Sequence, residues 1–424
     1  MKTQDQIINE VKKYPKFNGT YKKELAVKDF FKLKNYPSET VLLRDIFPLA
    51  NAAYPSKFNL SVSEYLWSEM CKERGFIIKK GVFDYTALPE HSFWTITRNI
   101  RDEDFEKILS GSEQHLLLFH IIAVSGFSIT NTNENNRKFY LENMITFLSN
   151  YFSLSKLKIS YFPGGNIEKH SIKKDFAEDI NKGLYQSLSK KFGFSIFPTN
   201  EETFLSLKVF GSPIFWGYRN EFFVKTKKST VDVGTIECLP FIPKYSLKNG
   251  EIEYSDIISS KKIFIGSGVG LERIMMVTEG VDNIWDISTI KPLVDFFKKK
   301  SENKVSDRKL FLLSESLKVL HYLVSENGGL TAGELGNKHR REIVSKYLTL
   351  LTGCLCSTGL SVDKNLLKEF FECVKKFNPV DKDILSDYDK AIPILYDVIL
   401  EQLRMYKTSE KYREKVNSLM DRII

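Results

Sequence analysis

The stretch with the clearest chemical signal runs from Lys261 to Gly280 and reads KKIFIGSGVGLERIMMVTEG. Its pattern predicts a strand at Ile263–Ile265, a turn of small residues at 266–270, and a helix from about Val269. Glycines let a ligand approach the backbone, and a helix N-terminus favours phosphate oxygens. Arg273 would add a cation that never loses its proton. The stretch therefore predicts a polyphosphate site, although a tight turn followed by a surface arginine gives the same pattern.

The pattern G-x-G-x-G-L-E-R is a more specific motif than a glycine-rich turn alone. It resembles motif 3 of the class II aminoacyl-tRNA synthetases, and most closely that of the alanyl-tRNA synthetases, where the segment reads V-D-T-G-M-G-L-E-R. The resemblance implies that Arg273 contacts the phosphates of ATP, and that Gly268 and Gly270 lie in the ATP-binding segment.

A second conserved segment of that family, motif 2, can be placed by the same comparison. The family has C-V-R, a long loop and then R-H-H-T-F-F-E, and this chain has Arg98 followed sixteen residues later by Gln114 and His115. The resemblance implies that Arg98 meets the α-phosphate of ATP and the substrate carboxylate, a role suited to a charge-assisted pair. Arg101 would exchange with Arg98 after a small shift of the alignment, and an exposed arginine at a strand end is the structural alternative.

The resemblance extends over about residues 90 to 424. Phe215-Trp216 resembles the family's N-F-W-x-M-G segment, which implies that Trp216 contacts the substrate. Glu221 falls in N-E-F, which resembles S-E-I and implies a contact with ATP. The run GTIECLPF, residues 234–241, resembles the strand L-E-I-W-N-x-V-F.

Several positions depart from the family's pattern. Gly266 stands where the family has the aspartate that binds the ammonium of alanine, Cys238 replaces an asparagine, and His120 replaces a glutamate. These three positions are still expected to contact the substrate, but alanine is not the expected substrate. Thr235 occupies the position of the strand's glutamate. Glu237 would share its face, because side chains two apart in a strand point the same way, and could serve ATP or a substrate amine, unless it is an ordinary edge-strand glutamate.

The resemblance implies an adenylate-forming ligase that uses ATP and Mg²⁺ to activate an amino acid or a related carboxylate. The acceptor of the acyl group is left open between the 3′ end of a tRNA, a carrier protein and a small amine. A non-catalytic regulatory or RNA-binding paralogue is the alternative that the lost substrate residues favour.

The order of apolar runs predicts an α+β fold with an antiparallel sheet flanked by helices, followed by an all-helical domain. The predicted division is an N-terminal extension at 1–55, a class II synthetase-like catalytic domain at 56–290 and a helical domain at 291–424. Arg340 and Arg341 lie in a helical region that resembles the part of the family that engages the tRNA acceptor stem, and they are therefore the predicted tRNA contacts.

Composition adds weaker constraints. The 424 residues carry a formal net charge of +9, which suits contact with phosphates but equally describes a lysine-rich surface. The five cysteines show no C-x-x-C spacing and the histidines no H-x-x-x-H pair, so no protein metal site is predicted. The sequence shows no secretion signal and no apolar run long enough to span a bilayer. A cytoplasmic protein is therefore expected.

Overall fold

The computed structural model describes residues 77–78, 82–83, 91–100, 102–130, 134–169, 172–209, 212–248, 251–327, 338–378 and 388–423. The predicted N-terminal extension at 1–55 and the predicted site residue Arg101 lie outside the described residues.

The elements are numbered here in chain order. The strands are β1 Ile77–Ile78, β2 Val82–Phe83, β3 His91–Asn99, β4 Phe119–Thr130, β5 Leu157–Tyr161, β6 Gly165–Lys169, β7 Ile172–Phe176, β8 Ser195–Pro198, β9 Phe204–Val209, β10 Ser212–Lys225, β11 Thr230–Lys248 and β12 Glu251–Gly270. The α-helices are α1 Asp102–Leu109, α2 Glu134–Ser149, α3 Lys182–Phe192, α4 Leu271–Glu279, α5 Lys291–Lys300, α6 Asp307–Asn327, α7 Lys338–Thr358, α8 Lys364–Phe377, α9 Tyr388–Thr408 and α10 Glu410–Met420.

The main sheet has the strand order β3-β4-β12-β11-β10-β5-β8, and β9 also pairs with β10. Its described pairings are antiparallel except that between β5 and β8, which is parallel. Helices flank this sheet, and the chain after residue 290 is helical in its described ranges. The α+β prediction is confirmed, with one parallel pair in a sheet that was expected to be antiparallel throughout.

The helices of the C-terminal region form because apolar residues recur at helical spacing. In α8, Leu367, Phe370, Phe371 and Val374 are buried on one face, as a three-to-four residue repeat requires. Asp363 caps the helix by accepting a hydrogen bond from the Leu366 N–H at 2.7 Å, which satisfies one of the otherwise unpaired N–H groups of the first turn.

The helical region shares its apolar core with the sheet. One cluster of buried residues includes Ile265 of β12, Met275 of α4 and Leu313 of α6. The rings of Trp285 and Phe311 lie 5.3 Å apart across this junction. The helical region therefore contributes to the same apolar core as the sheet and α4.

The glycine segment differs from its prediction. Residues 266–270 do not form a turn but continue β12, pairing with β11 on one side and β4 on the other, and α4 begins at Leu271. The glycines allow β11 and β12 to pack closely here, because a Cβ on Gly234 of β11 would collide with the carbonyl oxygen of Gly268. The predicted turn is thus replaced by the last residues of strand β12, which lead directly into the N-terminus of α4.

Among the described residues, no helix is both long enough and apolar enough to cross a lipid bilayer.

Candidate functional site

A cleft opens where the ends of β4, β11 and β12 meet the first turn of α4 and the loop after α1. The cleft is open to solvent, and its cavity volume is about 130 Å³. Its lining includes Gly268 and Gly270 of β12 and Arg273 of α4. The other lining residues are Asp104, Gln114, His115, Leu116, Phe119, Ile121, Arg219, Glu221, Asp232, Val233, Gly234, Thr235, Val269, Glu272 and Ile284.

Arg273 is fixed at the edge of this cleft by three hydrogen bonds. Its Nη1 donates to the carboxylate Oδ2 of Asp232 at 2.8 Å and to the main-chain oxygen of Asp232 at 2.9 Å. Its Nε donates to the main-chain oxygen of Gln114 at 3.3 Å. The side chain remains 20% exposed. The predicted phosphate-contacting arginine therefore lies in the cleft in a defined orientation.

Three carboxylates surround Arg219 on the cleft side of β10. Its Nε lies 2.8 Å from Oε1 of Glu221 and 3.8 Å from Oε1 of Glu237, and its Nη1 lies 3.8 Å from Oε2 of Glu202. The Nε–H group donates to Thr235 Oγ1 at 3.3 Å. As a result Oε1 of Glu221, which is buried, accepts no hydrogen bond from the described residues despite its short distance to Arg219.

Burial raises the pKa of Glu221 to about 8; Arg219 opposes the increase, and the charges of Asp232 and Glu237 add to it. Burial also raises the pKa of Glu237, again against the influence of Arg219. Here the desolvation that disfavours each charged carboxylate outweighs the stabilisation that the nearby guanidinium provides. This side of the cleft therefore holds a surplus of acidic groups that a bound cation would relieve.

The structure brings together several residues that the sequence predicted separately. Glu221, Gly268, Gly270 and Arg273 all line the cleft. Glu237 reaches the same face through Arg219. Gly266 lies opposite Glu237 in the pairing of β11 and β12, and a Cβ on Gly266 would lie 3.5 Å from Glu237 Oε2. The carboxylate of Glu237 therefore occupies space next to the missing side chain of Gly266.

Two predicted substrate contacts lie elsewhere. Cys238 belongs to the main apolar cluster, and burial raises the pKa of its thiol to about 12. It points to the face of β11 opposite to Glu237, because neighbouring strand residues alternate. Trp216 is fully buried in a second cluster with Phe176 and Phe204. Neither residue is part of the cleft lining.

His120 forms a buried pair with the residue that precedes Arg273. The His120 backbone N–H donates to Glu272 Oε2 at 3.0 Å, and His120 Nδ1 lies 2.5 Å from Glu272 Oε1. The side chains are 1% and 6% exposed. The pair ties β4 to the first turn of α4, so the structure places His120 beneath the site, where it supports Glu272.

The remaining predicted cations are described only in part. Arg98 lies on β3, opposite His120 in the pairing with β4, and its side chain lies outside the described atoms. Arg340 and Arg341 lie in the first turn of α7. Arg341 is exposed, and the side chain of Arg340 is again outside the description.

Sequence reasoning missed Arg219 and Asp232 as site residues. Arg219 had a usable signal, because it lies two residues from Glu221 on a strand and so shares its face. Asp232 had no such sequence signal, because an irregularity in the alternation of side chains along β11 brings it to the cleft. Within the described part of the chain, no group of three or more His, Cys, Asp or Glu residues is arranged to hold a metal ion.

No family model matches the chain. Over 170 residues, 37% of this chain, it is 25% identical to an alanine–tRNA ligase of Clostridioides difficile strain 630. The match spans 17% of that protein's length. This similarity supports a synthetase-like protein, in agreement with the class that motif 3 indicates, and does not establish the alanyl type.

Two structures of aminoacyl-tRNA synthetases are among the solved structures that match the chain. Apo histidyl-tRNA synthetase of S. aureus matches with a TM-score of 0.32 and 7% identity, over 61% of this chain and 70% of that one. The RNA-binding domain of threonyl-tRNA synthetase from Cryptosporidium parvum Iowa II matches with a TM-score of 0.28 and 14% identity, over 51% of this chain and 48% of that one.

Proposed function

We propose that the cleft activates a carboxylate, an amino acid or an analogue, by reaction with ATP to give an acyl-adenylate and pyrophosphate. The observation that carries the proposal is the convergence of Arg273, Gly268, Gly270 and Glu221 on one cleft. Gly268, Gly270 and Arg273 belong to the segment that resembles motif 3, whereas Glu221 belongs to a second segment with its own likeness to the synthetases. Both segments line the same cleft.

The reaction requires no protein nucleophile. A carboxylate oxygen attacks the α-phosphorus in line with the departing pyrophosphate, so positioning and charge neutralisation supply the catalysis. Arg273 would hold the distal phosphates. Arg98, at the end of the neighbouring strand β3, would hold the α-phosphate.

The acidic side of the cleft fits Mg²⁺ that enters with ATP. Oε1 of Glu221 is buried and accepts no hydrogen bond from the described residues, and magnesium is usually bound by one or two carboxylates together with substrate phosphates. Glu221 and Glu237 would hold the ion. When bound, it would neutralise phosphate charge.

The acyl group would pass from the adenylate to an acceptor, either the 3′ end of a tRNA, a carrier protein or a small amine. Arg341, exposed at the start of α7, supports an RNA acceptor, since phosphates are bound by such cations. Because Gly266 supplies no carboxylate, alanine is not the expected substrate.

The test is the amino-acid-dependent exchange of labelled pyrophosphate into ATP, screened over α-amino acids and their analogues. Arg273→Ala should lower the exchange rate by about 10²–10³, the usual effect of removing a group that meets developing charge. Arg404→Ala, which removes an exposed arginine on α9, is the matched control. Exchange at the wild-type rate in folded Arg273→Ala would contradict the role given to Arg273. No exchange with any carboxylate would contradict the proposed activity and favour a non-catalytic paralogue.

A further inference from the structure

A β-bulge determines which residues of β11 face the cleft. Phe222 of β10 pairs with Gly234, but the next residue, Phe223, pairs with Asp232, so Val233 is an extra residue in β11. The side chain of Val233 belongs to the main apolar cluster. By contrast, Asp232 Oδ2 lies 2.8 Å from Arg273 Nη1, and Thr235 Oγ1 lies 3.3 Å from Arg219 Nε, both on the cleft side. Regular alternation would place Asp232 and Thr235 on opposite faces. The bulge therefore turns Asp232 towards the cleft, a use of bulges common beside active sites.

Asp232 holds one edge of the Arg273 guanidinium. The guanidinium has five N–H donors. Both donors of Nη1 go to Asp232, one to Oδ2 and one to the main-chain oxygen, and the Nε donor goes to Gln114. The two donors of Nη2 have no partner among the residues that the structure describes. The guanidinium is therefore fixed on one edge and presents a pair of donors on the other.

We propose that Asp232 is a positioning residue that fixes Arg273 so that Nη2 meets an anionic oxygen of the substrate. The inference rests on the proposed function, since it assumes that this oxygen belongs to ATP. Arginine has a long, flexible side chain, and a small misplacement of a catalytic group lowers rates by up to about 10²-fold. A carboxylate so close to Arg273 also offsets its charge, so a competing role, in which Asp232 blocks the anion, predicts the opposite effect.

Two substitutions separate these roles. Asp232→Asn keeps an oxygen that accepts from Nη1 and removes the charge, whereas Asp232→Ala removes both. Positioning predicts that Asp232→Asn binds Mg-ATP within about threefold of the wild type. It also predicts that Asp232→Ala binds about tenfold to 10²-fold more weakly, with a parallel loss of exchange rate. Asp282→Ala, which removes a nearby carboxylate paired with Lys228, controls for a general change in charge.

The measurements are isothermal titration of the full chain with Mg-ATP, pyrophosphate exchange, and a thermal melt for each variant. If Asp232 acts through Arg273, then Asp232→Ala should add little loss in an Arg273→Ala background. If Asp232→Ala does not fold, Asp232→Ser replaces it, because its shorter side chain also releases the guanidinium.

Tighter binding by both Asp232 variants would show a blocking role and overturn the inference. Wild-type binding and exchange by Asp232→Ala would overturn it while leaving the proposed function in place. A wild-type protein that neither binds Mg-ATP nor exchanges pyrophosphate would overturn both.

Discussion

The carboxyl group of Glu221 shows how burial controls charge at the scale of a single residue. Its side chain is 10% exposed and lies beside Arg219, yet its pKa rises from an ordinary 4.5 to about 8 because burial outweighs that one cation. The protonated form is therefore favoured near neutral pH until a further cation arrives. A site of this kind is prepared for a positively charged ligand.

This shift predicts how stability depends on pH. Between about pH 4.5 and 8 the folded chain keeps a proton on Glu221 that the unfolded chain releases, so this group makes stability fall as pH rises, by up to about 1.4 kcal/mol per pH unit. Glu221→Gln should flatten the curve of unfolding free energy against pH in that window, measured by urea denaturation. Glu168→Gln, on an exposed side chain, is the control. An unchanged slope in Glu221→Gln would rule out the raised pKa.

Gly266 illustrates why a position that resembles a family site cannot simply be restored. A Cβ there would lie 2.7 Å from Cε1 of Phe264, whose ring is buried, and an added carboxylate would lie beside that of Glu237. We expect Gly266→Ala to lower the free energy of unfolding by about 1–3 kcal/mol, the usual cost of overpacking. Gly183→Ala on α3, where a Cβ meets nothing within 4 Å, should be neutral or stabilising. Equal unfolding midpoints for the two variants would contradict this account.

At the scale of elements, regular apolar spacing made the helices predictable. In α8, 364–377, one apolar stripe fixes the register of the helix, as helical periodicity requires. The glycine segment was predicted as a turn, since glycine is common in turns, but pairing on both sides makes it a strand. The bulge at Val233 left no trace in the sequence, because a bulge depends on the partner strand. The position of Asp232 in the cleft could therefore not be predicted from the sequence.

The contact between α7 and α10 depends on a glycine in the interior of a helix. Gly353 of α7 would, with a Cβ, collide with Sδ and Cγ of Met420 and approach Cγ1 of Val416 at 3.3 Å. Glycine within a helix costs about 0.5–1 kcal/mol relative to alanine. The close approach of α10 offsets that cost.

This contact predicts a change of sign in a double-mutant experiment. Gly353→Ala should lower the free energy of unfolding by about 1 kcal/mol in the wild type because of overpacking. In a Met420→Ala background the collision is removed, and the same change should raise stability by about 0.5–1 kcal/mol through helix propensity. The measurement is chemical denaturation of the four proteins. Additive effects would show that Met420 does not determine the cost of adding a Cβ at residue 353.

At the scale of the whole molecule, the shared core lets the helical region serve as a fixed surface beside the cleft. Arg308 of α6 donates to the main-chain oxygens of Ile108 and Leu109 at the end of α1. On α7, Ile343, Val344, Tyr347 and Leu351 are buried, while Arg341 remains exposed. The apolar positions of this helix are thus buried, and its first turn is open to solvent at Arg341.

An RNA acceptor would contact the first turn of α7, which predicts binding that depends on salt. Affinity for tRNA should fall with a log–log slope of about −0.7 to −0.9 for each phosphate contacted, because each contact releases counterions. The double variant Arg340→Ala/Arg341→Ala should reduce both the affinity and this slope. Its pyrophosphate exchange should stay at the wild-type rate. The measurement is fluorescence anisotropy with labelled tRNA between 50 and 200 mM salt, a range over which such contacts weaken strongly.

The matched control is Lys190→Ala/Lys191→Ala, which removes two adjacent exposed cations from the last turn of α3. It changes the net charge equally, so a general electrostatic attraction to RNA would weaken to the same extent in both double variants. A loss confined to Arg340→Ala/Arg341→Ala places the RNA on α7. Equal losses of affinity would show that the interaction depends only on the overall charge of +9. Binding that is absent or independent of salt, with pyrophosphate exchange intact, would instead make the acceptor a protein or a small molecule.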